Sequence, residues 1–171
     1  MLTLIIGGAA SGKSALAERV AQALPGNKIY LATMDARDPE SLKRIERHRQ
    51  LRAGKGFQTV EQPRALERVT LPEEANVLLE DLSNLLANEM FSPSGGGAAA
   101  ALSGIEALRR QCSHLTVVTN EIFSGGSDYA GDTLHYLAEL AWLNRTIASY
   151  ADTVAEVVCG LPNVLKGALP W

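Results

Sequence analysis

The sequence is poor in the residues that mark several large protein classes. It holds two cysteines, Cys112 and Cys159, far apart and without metal-ligand spacing. A disulfide framework is excluded on that count, and a reducing cytoplasm fits best. The formal charge is −3, which excludes a strongly basic nucleic-acid binder on global grounds. No apolar run is long enough to span a bilayer. The first residues lack the basic region and cleavage site of a signal peptide. There is no internal repeat. Histidines number three, so candidates for imidazole chemistry are few.

What is present is a chain of 171 residues, 46% of them apolar, enough for one domain with a real core. Leu2 to Ile6 is a continuously apolar run ending at Gly7-Gly8 and reads as a buried parallel strand. Gly12 to Leu24 has helical periodicity and stops at Pro25-Gly26. Lys28 to Thr33 reads as the next strand. Asp38-Pro39-Glu40 predicts a helix start, with a capping side chain followed by proline, and the helix should run to about Gly54. Phe57 to Glu61, Asn76 to Glu80, Leu115 to Thr119 and Thr153 to Val158 are further strand candidates, the last of these closing the sheet. Helices fill the gaps, most clearly from Asp132 to Ala151. Ser92 to Ala101, with three glycines before an alanine run, reads as a loop leading into a helix. Alternating strands and helices predict a single α/β domain over 1–171, a mostly parallel sheet with helices on both faces.

Gly7-Gly8-Ala9-Ala10-Ser11-Gly12-Lys13-Ser14 satisfies the G-x-x-x-x-G-K-[ST] pattern of a phosphate-binding loop. The glycines let backbone N–H groups turn inward as an anion nest, and the following helix adds the positive end of its dipole. Lys13 places a charge on the β- and γ-phosphates, and the Ser14 hydroxyl ligates the magnesium that bridges them. Such a loop needs an acidic group at a neighbouring strand end. Glu80 and Asp81 both qualify, and Glu80 is favoured. Asn120-Glu121 also falls at a strand end that faces the site.

His48 lies among Lys43, Arg44, Arg47, Arg49, Arg52 and Lys55, opposed only by Glu46. At helical spacing Arg44 and Arg52 share its face. So many cations disfavour the imidazolium and keep the ring neutral and nucleophilic, as a covalent intermediate requires. A solvated basic face is the plainer account of the same residues. His114, at a strand start, and His135, in the last long helix, have no such company and read as structural.

Together with the phosphate loop, the segments Tyr30-Leu31-Ala32-Thr33, Arg44-Ile45-Glu46-Arg47-His48-Arg49, Gln58-Thr59-Val60-Glu61, Leu78-Leu79-Glu80, Val118-Thr119-Asn120-Glu121, Asn144 and Val157-Val158-Cys159-Gly160-Leu161-Pro162 carry a resemblance. The chain resembles the bifunctional adenosylcobinamide kinase / adenosylcobinamide-phosphate guanylyltransferase family over nearly its whole length. The resemblance implies a RecA-like P-loop NTPase fold, a homotrimer and two reactions in cobalamin biosynthesis. A nucleoside triphosphate, GTP or ATP, phosphorylates the aminopropanol hydroxyl of the corrinoid adenosylcobinamide. GMP then passes from GTP, through a guanylyl-histidine that maps onto His48, to give adenosylcobinamide-GDP. The nucleotide contacts map onto Gly7 to Ser14, onto Thr33, Met34 and Asp35, onto Arg49, Gln50, Leu51 and Arg52, and onto Glu61 and Glu80. Mg²⁺ is the implied cofactor, held by Ser14 and Glu80. Nucleic acid and a membrane span are not expected. Two positions and one segment depart from the family pattern: Ala10 replaces an arginine, Asp81 a common cysteine, and Ile122 to Tyr129 a glycine-rich segment ending in proline. The alternatives are a kinase or nucleotidyltransferase of the same ancestry acting on another small molecule, or a nucleotide-gated binding module. A binding module needs the loop but not the nucleophile.

Overall fold

The computed structural model describes residues 1–35, 46, 50, 54–125 and 129–171. Seven strands form one sheet: β1 (Leu2–Gly7), β2 (Asn27–Ala32), β3 (Gln58–Glu61), β4 (Ala75–Glu80), β5 (His114–Asn120), β6 (Thr153–Val158) and β7 (Leu161–Lys166). Their order is β3-β2-β4-β5-β1-β6-β7. All pairings are parallel except β6 with β7. The sequence predicts Thr153–Val158 as the last strand, and β7 corrects that reading. Every residue of β7 is exposed, so it has no buried face to imprint an alternating pattern.

The described helices are α1 (Lys13–Ala23), α2 (Leu82–Phe91), α3 (Gly97–Gln111) and α4 (Asp132–Tyr150), with a short 3₁₀ turn at Leu66–Arg68. Strand side chains alternate between two cores, as the pleat dictates. Leu2, Leu4, Ile29, Leu31, Val77, Leu79, Leu115 and Val117 point to the larger one, filled from α2, α3 and α4 by Leu82, Leu85, Ile105, Leu108, Leu140 and Ile147. Ile5, Tyr30, Leu78, Val118 and Ala155 point to the smaller one, under Leu16, Ala17, Val20 and Ala21 of α1. Helices therefore cover both faces, which explains why the inner strands read as continuous apolar runs.

Asn76, fully buried on β4, donates from Nδ2 to the Ala21 and Leu24 carbonyls at 2.8 and 3.1 Å and closes the end of α1. Most of the helix expected from Asp38 to about Gly54, with His48, Arg49, Leu51 and Arg52, lies outside the described residues. Within it Glu46 and Gln50 are helical, and Gln50 Nε2 donates to Glu46 Oε1 at 3.0 Å. That is the one-turn pairing a helix gives.

Candidate active site

The phosphate loop leaves β1 at Gly7 and enters α1 at Lys13. Gly12 caps α1 with φ +94°, a left-handed conformation that favours glycine. A Cβ there would come within 3.1 Å of the Gly160 Cα. Gly160, in the β6–β7 turn, donates its N–H to the Ser11 carbonyl at 2.8 Å and braces the loop from outside. No acidic residue occupies the first turn of α1, so its positive end is left to an anion. Lys13 Nζ donates to the Gly8 carbonyl at 3.0 Å, which holds the ammonium over the loop. A cleft of about 360 Å³ opens here, lined by Ala10 to Ala15, Glu18 and Lys55. Lys55 forms an ion pair with Glu18 along its wall.

The strand order separates the loop strand β1 from β4 by the inserted β5. Nevertheless Ser14 Oγ donates to Glu80 Oε1, and Tyr30 OH donates to Glu80 Oε2 at 3.0 Å. The two acidic candidates at the end of β4 have thus taken different work. Glu80 faces Ser14. Asp81 caps α2, its Oδ1 accepting from the Asn84 N–H at 2.7 Å, and burial pushes its carboxyl up to about 6. Serine hydroxyl and carboxylate are hard oxygen donors of the kind magnesium takes alongside phosphate oxygens, so the pair fits that ion. No cluster of three or more acidic, histidine or cysteine side chains suited to a metal occurs among the described residues. A magnesium that borrows most of its ligands from substrate and water needs none.

Among the described residues, Thr33, Met34, Asp35, Glu61 and Glu121 lie along the same carboxyl edge of the sheet. Ala32 pairs with Glu61 on one side and Glu80 on the other. Thr33 is wholly buried. Its hydroxyl donates to the Asp81 carbonyl and accepts from the Asp81 N–H, both at 2.7 Å, and its N–H donates to the Glu80 carbonyl at 3.1 Å. Thr33 thereby locks the end of β2 to the end of β4, with Met34 and Asp35 half-buried beyond it and Glu61 exposed. The Glu121 N–H donates to the Gly7 carbonyl at 3.0 Å, which brings the segment after β5 against the loop. The Glu121 carboxylate accepts from the Phe123 N–H and the Ser124 hydroxyl, both at 3.0 Å. It shapes a turn that leaves Ile122 and Phe123 exposed. His114 sits at the opposite edge, and His135 is exposed on the first turn of α4.

Sequence reasoning missed Tyr30 and Gly160 as site residues. A tyrosine inside an apolar strand is a signal for the first, since a buried phenol needs a partner. Nothing local marks the second.

An anion nest opening a helix, a lysine above it, and a serine bonded to a carboxylate two strands away define a P-loop NTPase of RecA-like type. A solved ATPase of the type III secretion system of pathogenic bacteria has this fold, with a TM-score of 0.50 at 13% identity over 95% of this chain and 56% of that one. Residues 3–165 match the profile of cobinamide kinase / cobinamide phosphate guanyltransferase, and the chain belongs to that family. The bifunctional adenosylcobalamin biosynthesis protein CobP of Pseudomonas aeruginosa is 37% identical, with 98% of each chain covered. Its counterpart CobU of Escherichia coli is 31% identical over 97% of this chain and 100% of the relative.

Proposed function

We propose that this chain phosphorylates adenosylcobinamide with a nucleoside triphosphate and then transfers GMP from GTP to the product, giving adenosylcobinamide-GDP. The observation that carries the reading is the Ser14–Glu80 contact beneath a complete phosphate loop, in a chain of this family. Lys13 and the loop amides hold the β- and γ-phosphates. Ser14 and Glu80 would hold Mg²⁺, which when bound neutralises charge on the phosphates. Tyr30 keeps the carboxylate aimed at Ser14. Thr33 spaces β2 from β4, so that Met34, Asp35 and Glu61 meet the nucleotide at a fixed distance.

In this reading His48 takes GMP as a phosphoramidate while pyrophosphate leaves, and Arg49, Gln50, Leu51 and Arg52 line that nucleotide. Arg52 favours the charge-separated transition state, because a planar guanidinium binds phosphate oxygens in pairs. The exposed Ile122 and Phe123 beside Glu121 support an acceptor with apolar surface, as a corrinoid has. The two free cysteines accord with the cytoplasm as the compartment, and the proposed assembly is a homotrimer. Incubation with adenosylcobinamide, Mg²⁺ and GTP, read by mass spectrometry, tests the reading. Adenosylcobinamide-GDP is the expected product, and unreacted corrinoid would overturn it.

A further inference from the structure

Helix α2 spans the carboxyl ends of the strands. Near its start, Ser83 Oγ accepts from the Asn120 N–H at 3.2 Å and from Asn120 Nδ2 at 3.0 Å, at the end of β5. Near its other end, Asn88 Nδ2 donates to the Thr33 carbonyl at 2.8 Å and the Pro63 carbonyl at 2.9 Å. Those carbonyls belong to the segments that follow β2 and β3. An amide NH₂ has two hydrogens, and Asn88 has one for each segment.

The strands concerned are remote from the phosphate loop. β2 is the third strand from β1 and β3 the fourth, so at about 4.8 Å per strand they lie roughly 14 and 19 Å away. That is too far to touch a phosphate seated in the loop. It suits the nucleoside end of the same molecule.

We propose that Asn88 is a positioning residue for nucleotide. It joins the segment carrying Met34 and Asp35 to the segment carrying Glu61, and it holds both against the helix that reaches back to β5. The inference rests on the reading that these residues contact the nucleotide. Neighbouring Glu89 shows how firmly this end of α2 is anchored. It is 4% exposed, and its carboxylate accepts from the Ala65 N–H at 2.7 Å and the Gly96 N–H at 3.0 Å. The α2 end therefore stays put when Asn88 is replaced, and the Thr33 and Pro63 carbonyls lose the one side chain that bonds both. Phosphate binding at Lys13 is left intact.

The test is calorimetric titration of the full chain with GTP and, separately, with inorganic tripolyphosphate, both with Mg²⁺. Asn88→Leu removes both donors at similar volume. It should weaken GTP by about tenfold, the scale of a buried hydrogen-bonding group left unpaired, and leave tripolyphosphate within about twofold. Equal weakening of both probes in a folded variant overturns the proposal, as does unchanged GTP affinity. Asn88→Ser keeps one donor and covers the case in which the leucine variant does not fold. It should show an intermediate loss for GTP alone, and it decides by the same criterion. Failure of the wild-type chain to bind GTP would instead overturn the functional reading beneath the proposal.

Discussion

Ser14 Oγ donates to Glu80 Oε1, joining residues 66 positions apart in the chain across the end of an intervening strand. The carboxylate's charge, more than its shape, is what a magnesium ion reads. Glu80→Gln keeps an acceptor for Ser14 and removes the charge. The Mg²⁺ concentration for half-maximal velocity should rise about tenfold or more, since a hydrogen bond or ligand contact to a charged group is worth roughly 1.5–3 kcal/mol. A magnesium titration of initial rates checks this, and an unshifted curve would overturn the metal role proposed for Glu80.

Gly12→Ala should damage the loop through its backbone. Forcing a side chain into the left-handed region costs about 1–2 kcal/mol, and the new Cβ would press on Gly160 at 3.1 Å. A fall in Tm of about 2–8 °C is expected for a chain of this size, together with loss of GTP affinity. Calorimetry of the variant reads both quantities.

His48→Ala should separate the two activities. Guanylyl transfer needs the nucleophile, whereas phosphoryl transfer rests on positioning and charge. Labelled GTP should no longer mark the protein, while phosphorylation of adenosylcobinamide continues. Formation of adenosylcobinamide-GDP by the variant would show that the intermediate is elsewhere.

The two thiols should differ in reactivity. Burial pushes the Cys112 thiol up to about 11, so at pH 8 only about one molecule in a thousand carries the reactive thiolate there. Cys159 is exposed. Brief treatment with iodoacetamide should add one group, at Cys159, with Cys112 following only in denaturant. Peptide mass spectrometry assigns the site. Equal labelling in the native protein would contradict the burial of Cys112.

The strands with a buried face were legible because burial writes itself into sequence. The runs Leu2 to Ile6 and Val77 to Leu79 are too short for a core helix, and that length decides for buried strands. The phosphate loop was legible because its glycines, lysine and serine answer to one local geometry. β7 was not, since a strand exposed throughout leaves no periodicity. The division of labour between Glu80 and Asp81 was only half legible. Both stand at a strand end, and choosing between them depends on where Ser14 and the Asn84 N–H lie in space. Asn88, Tyr30 and Gly160 act through partners 25 to 149 residues away in the chain. Such pairings follow from strand order, and pattern alone does not give strand order.

That strand order also makes the site a product of the whole sheet. The loop precedes its partners in the chain, with Glu80, β5, β6 and Gly160 all following it. Glu80 meets Ser14 across the end of His114–Asn120, which lies between their strands. The outer brace comes from later still in the chain, with β6 beside Gly7 and Gly160 against Ser11. The phosphate-binding residues are thus contiguous in sequence, whereas the site they complete draws on strands up to β6 and on the turn at Gly160. A nucleotide that binds only the assembled site adds to the stability of the whole sheet by mass action.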